Sequence, residues 1–256
     1  MWFKRQHDLL LTHRFSNHFT TDFNTTGTGQ IFVTLFTNGL IFQLAKEDQN
    51  RVQHICKPVQ LVAGQILCNA AQQETPKVYF LTGACVALLI QSPPRNTLAV
   101  GLVGSDGAIG LGSVLDIGPE NLQFRVQTPG DAWMAESTDL ALLLHQRPGM
   151  LWVISQYLWC LAAHVASMAA SIQFDDITAR LARWLALSAD KAQTLQLKLT
   201  HEHLAQMLGV RRVSITLAAG ELKERGLIDY QRGEVDILDI TALRQMTDRT
   251  QSITQG

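Results

Sequence analysis

With 256 residues the chain has room for two modest hydrophobic cores or one large one. Its 46% apolar and 17% charged content excludes a disordered chain. A net charge of −1 gives no bulk electrostatic footprint for nucleic acid, so any such interface must come from clustered charge.

Residues 174–256 balance as well, with eleven Lys or Arg against eleven Asp or Glu. Cys56, Cys68, Cys85 and Cys160 lie 12, 17 and 75 positions apart, which matches neither a C-x-x-C motif nor a small disulfide framework. They are expected to be reduced, with no metal or cofactor role. No basic stretch followed by a short apolar run and a cleavage site opens the sequence, so the cytoplasm is the expected compartment.

Residues 1–39 form an extension of unassigned fold, rich in Thr, Asn, Gly and Phe over 12–38. From 40 to 137 short apolar runs alternate with turn residues: Val59–Val62, Val78–Leu81, Ala84–Ile90, Leu98–Val103, Leu122–Val126 and Ala132–Met134. That spacing predicts an antiparallel β-sandwich or barrel. Gly101, Gly104, Gly107, Gly110 and Gly112 lack the G-x-G-x-x-G order of a dinucleotide loop and read as turns and bulges.

No Asp, Glu, Lys or Arg occurs between Pro148 and Phe174, and the length alone permits a membrane span. Scattered Ser155, Gln156, His164, Ser167 and Ser171 argue against one. Ile154, Leu158, Leu161, Val165, Met168 and Ile172 recur at alternating steps of four and three, the pattern of a dimer seam. Trp152, Trp159 and Ala166 form a second apolar line at a seven-residue repeat. One face is therefore expected on the chain's own domain and the other on a partner subunit, with 138–173 as the dimerisation helix.

A further amphipathic helix begins near Asp175 and Asp176 and buries Ile177, Leu181, Trp184 and Leu185. Thr200 then reads as the N-cap of a short helix, His201–Leu208, interrupted by Gly209. A second helix runs from about Arg211 to Arg225, with Ile215, Ala218, Ala219 and Leu222 inward and Gly226 after its end. This is the arithmetic of a helix-turn-helix. Leu227–Tyr230 and Glu234–Leu238 flank Gln231-Arg232-Gly233 as a hairpin wing.

On the second helix Arg212 is the expected base reader, a guanidinium suited to guanine O6 and N7, with Ser214 and Thr216 assisting. Val213 and Leu217 are suited to thymine methyl groups. Thr200, His201, Arg211, Lys223 and Arg232 are candidate phosphate contacts. His201 and His203, two apart on a helix, point away from each other, so no metal pair is expected. A protein-interaction module built on the same helices, without DNA reading, is the alternative. No nucleophile elbow, phosphate loop or metal-ligand spacing suggests an enzyme.

LTHEHLAQMLGVRRVSITLAAGELKERGLIDYQRGEVDILD resembles the C-terminal winged helix of the Crp/Fnr regulators, ITARLARWLAL resembles the helix leading into it, and PVQLVAGQILCNAAQQETPKVYFLTGACVALL is similar to the opening strands of the family's β-roll. The resemblance spans about 40–246. It implies an α+β fold: an N-terminal double-stranded β-helix (β-roll) of the cyclic-nucleotide-binding type, a long dimerisation helix, and a winged helix-turn-helix over 174–246, followed by a tail, 247–256. It implies a cytoplasmic homodimer that binds double-stranded DNA at an inverted repeat, with RNA polymerase as a further partner and no membrane association. GSDGAIGLGSVLDIGPENLQFRV lacks the family's Gly-Glu and Arg-Ser/Thr phosphate cassette, so a cyclic nucleotide is not the expected effector; Arg125 reads as a strand-surface residue. Clustered N-terminal cysteines and a haem ligand are also missing. Arg212 matches the family's usual arginine, whereas Val213 stands where a base-reading glutamate is common.

Overall fold

The computed structural model describes residues 23–25, 31–33, 35–68, 76–92, 96–115, 117 and 121–248. Most of the 1–39 extension and most of the 247–256 tail lie outside them. A short antiparallel pair, β1 (Phe23–Thr25) and β2 (Ile31–Val33), precedes helices α1 (Gly39–Phe42) and α2 (Lys46–Ile55). Leu35 and Asn38, placed by sequence in the extension, are fully buried. The Asn38 amide donates to the carbonyls of Leu81 and Gly107, and its oxygen accepts from the amides of Leu40 and Ile41. A buried side chain with four hydrogen bonds joins this segment to the sheet that follows, so the packed unit begins before residue 40.

Eight strands form two facing antiparallel sheets. One has the order β3 (Lys57–Leu61), β10 (Gly130–Glu136), β5 (Lys77–Leu81), β8 (Ala108–Ile109). The other has the order β4 (Ile66–Cys68), β9 (Leu122–Thr128), β6 (Cys85–Ser92), β7 (Asn96–Val103). All six apolar runs read from the sequence fall on these strands, with only Val62 and Ala84 just beyond a strand end. Leu61, Leu81, Val86, Leu88, Val103, Ile109, Val126 and Ala132 fill the space between the sheets.

The second sheet is a wall with two buried faces. Side chains alternate along a strand, so Val86 and Leu88 point into the β-roll while Cys85, Ala87 and Leu89 join a separate core made mostly by C-terminal helices. This double burial explains why ACVALLI is a continuous apolar run rather than an alternating one.

The expected dimerisation helix is broken in two. Helix α3 (Ser137–Gln146) ends at Arg147, and α4 (Gly149–Phe174) starts after Pro148. Proline restricts the residue before it and cannot supply an amide to a helix ladder. Arg147 is held at the break by Asp48 at 2.7 Å and Glu47 at 3.3 Å.

The seam assigned to a partner also needs correction. Met168, 5% exposed, lies in the core shared with the C-terminal helices; Ile154 and Leu161 pack against the two cores of the β-roll side; Val165 approaches Gly101 of β7; and Ile172 is half-buried. Of the six, Leu158 alone is exposed. The uncovered face instead carries Trp152 (71% exposed), Trp159 (72%), Ala163, Ala166 and Ala170. Both faces are apolar, so periodicity found two lines without distinguishing which of them packs on the chain's own domain. By length and composition α4 could cross a membrane; its other face is packed on protein.

After α5 (Ile177–Ala192), whose start is capped by Asp176 accepting from the amide of Ala179, the chain forms β11 (Gln196–Lys198), α6 (His201–Leu208), α7 (Arg212–Glu224), β12 (Ile228–Gln231), β13 (Glu234–Ile237) and α8 (Ile240–Asp248). Strands β11, β13 and β12 make a three-stranded antiparallel sheet in that order. The sequence reading had the β12–β13 hairpin and missed its third strand.

Candidate nucleic-acid interface

Thr200 caps α6, its Oγ1 accepting from the amide of His203 at 3.1 Å. The helix ends at Gly209, which takes φ +64° while its amide donates to carbonyls of the last turn. Such a left-handed residue strains any side chain, and a Cβ here would also come within 3.2 Å of Leu98. Arg180 of α5 donates to the carbonyl of Leu208, satisfying another helix-end group. This tight end lets α7 turn sharply onto α6, with Leu204, Met207, Leu208, Ile215, Ala218, Ala219 and Leu222 buried between them and α5.

Burying that stripe turns the other side of α7 to solvent. Arg211, Arg212, Val213 (68% exposed) and Leu217 (71%) share this open surface at the helix start, with Ser214 half-buried at its edge. Thr216 is exposed but engaged: its hydroxyl donates to the Arg212 carbonyl at 3.2 Å and lies 3.1 Å from His201 Nδ1.

The candidate phosphate contacts divide. Among the described residues no carboxylate lies within ion-pair distance of Arg211, Arg212 or Arg232. Lys223, by contrast, is 2.6 Å from Asp229. That hydrogen bond, with the Tyr230 amide, holds the Asp229 carboxyl below its ordinary range. His201 stacks on Tyr230 at 4.0 Å, its amide donates to the Tyr230 hydroxyl, and Nε2 is buried without a hydrogen-bond partner. Burial first, then the Arg212 charge, holds its imidazole below the usual histidine value. Lys223 and His201 thus serve the joint between helix and wing. Thr200 faces the β-roll side of the domain.

The wing tip is a two-residue turn. Gln231 pairs with Glu234, and Arg232 and Gly233 take φ +50° and +87°. Two successive positive values define the turn that matches the twist of a hairpin. They set the exposed Arg232 at the wing's end. Tyr230 and Lys198 are members of this surface that the sequence reading passed over. Tyr230 had a signal, an aromatic at an inward strand position; Lys198 had none, because β11 was not recognised.

Elsewhere, Cys56, Cys85 and Cys160 are free thiols, and burial pushes Cys56 up to about 12. Among the described residues no three His, Cys, Asp or Glu are grouped to hold a metal. Arg125 lies on β9 beside Gln123 and Gln127, opposite the inward Leu122, Phe124 and Val126, so its guanidinium is on the outer side of the β-roll.

Residues 179–246 match the model of the Crp-like helix-turn-helix domain. No curated protein matches the chain in sequence. Among solved structures, a protein from Eubacterium rectale described as of the crp/fnr family is similar at 16% identity and a TM-score of 0.65, over 82% of this chain and 98% of that one. A Crp/Fnr-family regulator from Thermus thermophilus is similar at 20% identity and 0.62, over 76% of this chain and 100% of its own. The c-di-GMP-responsive global regulator of Xanthomonas campestris is similar at 16% identity and 0.63, over 76% and 100%. Residues 179–246 thus form a Crp-like helix-turn-helix domain, and the chain as a whole has the fold of these regulators.

Proposed function

We propose that the protein reads an inverted-repeat operator as a homodimer, one α7 in the major groove of each half-site, with half-site centres about 34–36 Å apart. The observation that carries this reading is the open start of α7, where two arginines without acidic partners among the described residues stand beside two exposed aliphatic side chains. Arg212 pairs with a guanine, Val213 and Leu217 meet thymine methyl groups, and Ser214 assists. Thr216 acts by holding the helix start. Arg211 and Arg232 contact phosphates, with Thr200, His201 and Lys223 contributing mainly to the domain's own structure.

The homodimer forms through the uncovered Trp152–Trp159–Ala166 face of α4. An apolar strip of this kind on a helix already packed along its other side is satisfied by a second copy. The protein works in the cytoplasm with RNA polymerase as a further partner, and a cyclic nucleotide is not its effector. The outward Arg125 and the core side chains between the sheets support that last point.

Selection from a random duplex library at near-physiological salt, run for the wild type and Arg212→Ala, tests the reading. A two-fold-symmetric motif from the wild type, relaxed or lost in the variant, is the expected result. Enrichment that is indifferent to Arg212 would defeat the assignment, and no enrichment by either would favour a protein-interaction role.

A further inference from the structure

We propose that the cleft between the β-roll and the winged helix is a binding site for a small, multiply charged oxyanion. The cleft measures about 350 Å³, within the range of small-molecule sites. Both units build it. The β-roll contributes Ile66, Arg125 and Gln127; the winged-helix side contributes Lys198, Thr200 and His203.

Among the described residues no acidic side chain lines this cleft. Arg125 gives one hydrogen bond to Gln123 at 3.0 Å, and among the described residues it has no ion-pair partner. Lys198 has only a loose pair with Glu234 at 4.0 Å, both side chains being largely exposed. The Nε2 of His203 is buried with no hydrogen-bond partner. Thr200 Oγ1 already accepts from the His203 amide, which leaves its hydroxyl hydrogen to donate.

Arg125 without an acidic partner among the described residues, a loosely paired Lys198, an unpaired imidazole nitrogen and an available hydroxyl together suit an anion that fills the cleft. Burial, with the charge of Arg125, holds the His203 imidazole below its usual value; an anion beside it would reverse that. Ile66, paired with Arg125 on the same face and 39% exposed, supplies an apolar contact for a carbon skeleton.

The position suggests a use. Lys198 and His203 belong to the winged-helix side, whereas Arg125 and Gln127 belong to β9. An anion held by both fixes the angle between the two units, and so favours one DNA-binding geometry over another. That regulatory use rests on the DNA-binding reading; anion binding itself does not.

The full-length protein would be titrated at constant ionic strength with 5′-AMP, a phosphomonoester, and with succinate, a dicarboxylate, followed by calorimetry and thermal unfolding. Saturable binding of at least one, with a rise in unfolding temperature, is expected. Arg125→Gln should weaken it roughly tenfold or more, in keeping with loss of a charge-assisted contact. Lys198→Gln, a surface change that leaves the fold intact, should weaken it less. The arm that saturates identifies the anion class. Absence of saturation by either anion through the low-millimolar range overturns the proposal, as does equal affinity in Arg125→Gln that unfolds at the wild-type temperature. Arg212→Ala lies outside the cleft and should bind the anion normally while losing operator selection, so failure of the two readings appears in different measurements.

Discussion

The Gln127 side-chain amide of β9 donates a 3.0 Å hydrogen bond to the hydroxyl of Ser188 in α5, at a point where Ser188 is fully buried. It ties the outer face of the β-roll to the helix on which the DNA-binding unit is built. A second tie, the 2.5 Å pair of Lys191 with Asp106, lies one turn further along the same helix.

Ser188→Ala would leave the Gln127 amide buried and unpaired. The expected loss is about 1–3 kcal/mol of unfolding free energy, measured by urea titration. A change indistinguishable from zero would mean that water replaces the hydroxyl.

Trp159→Glu places a charge on the uncovered face of α4. The protein should become monomeric by light scattering while keeping its helical circular dichroism. Leu161→Glu, on the inward face, should instead unfold the β-roll side, because it packs against that core. A stable Trp159→Glu dimer would return the seam to the other face.

Arg232 occupies a left-handed position that asparagine adopts more readily. Arg232→Asn should stabilise the wing by on the order of 0.5 kcal/mol. It should also weaken DNA binding and reduce the salt dependence by roughly one phosphate contact per half-site. Unfolding temperature and binding at a series of salt concentrations should move in opposite senses; a salt slope equal to the wild type would remove Arg232 from the interface.

His164, His201 and His203 all have folded-state pKa values below the ordinary histidine value, with burial as the largest cause in each; Lys191 adds to it at His164, Arg212 at His201 and Arg125 at His203. The unfolded chain therefore takes up protons first as pH falls. Stability from these groups is complete above about 6.5 and is lost as pH drops through the lower folded values. Urea midpoints should fall between about pH 7 and pH 5.5, and His164→Gln should flatten part of that slope. A midpoint constant across this range would contradict burial of neutral imidazoles.

Local chemistry made much of the molecule legible. Thr200, Gly209, Gly226 and Gly233 stand at caps and turns that few other residues serve, and Ile215, Ala218, Ala219 and Leu222 repeat at helical spacing. The helix-turn-helix, its wing and the exposed Arg212 were therefore determined by the sequence within some forty residues of chain. Only the tertiary structure decided which apolar face of α4 turns inward, because two comparable stripes give periodicity nothing to choose between. It also decided that Lys223 and His201 are engaged within the domain, and that Arg125 meets Lys198 and His203 across a cleft. Those groups lie more than seventy residues apart. Their meeting depends on a sheet whose two faces are both buried, a condition that no local pattern encodes.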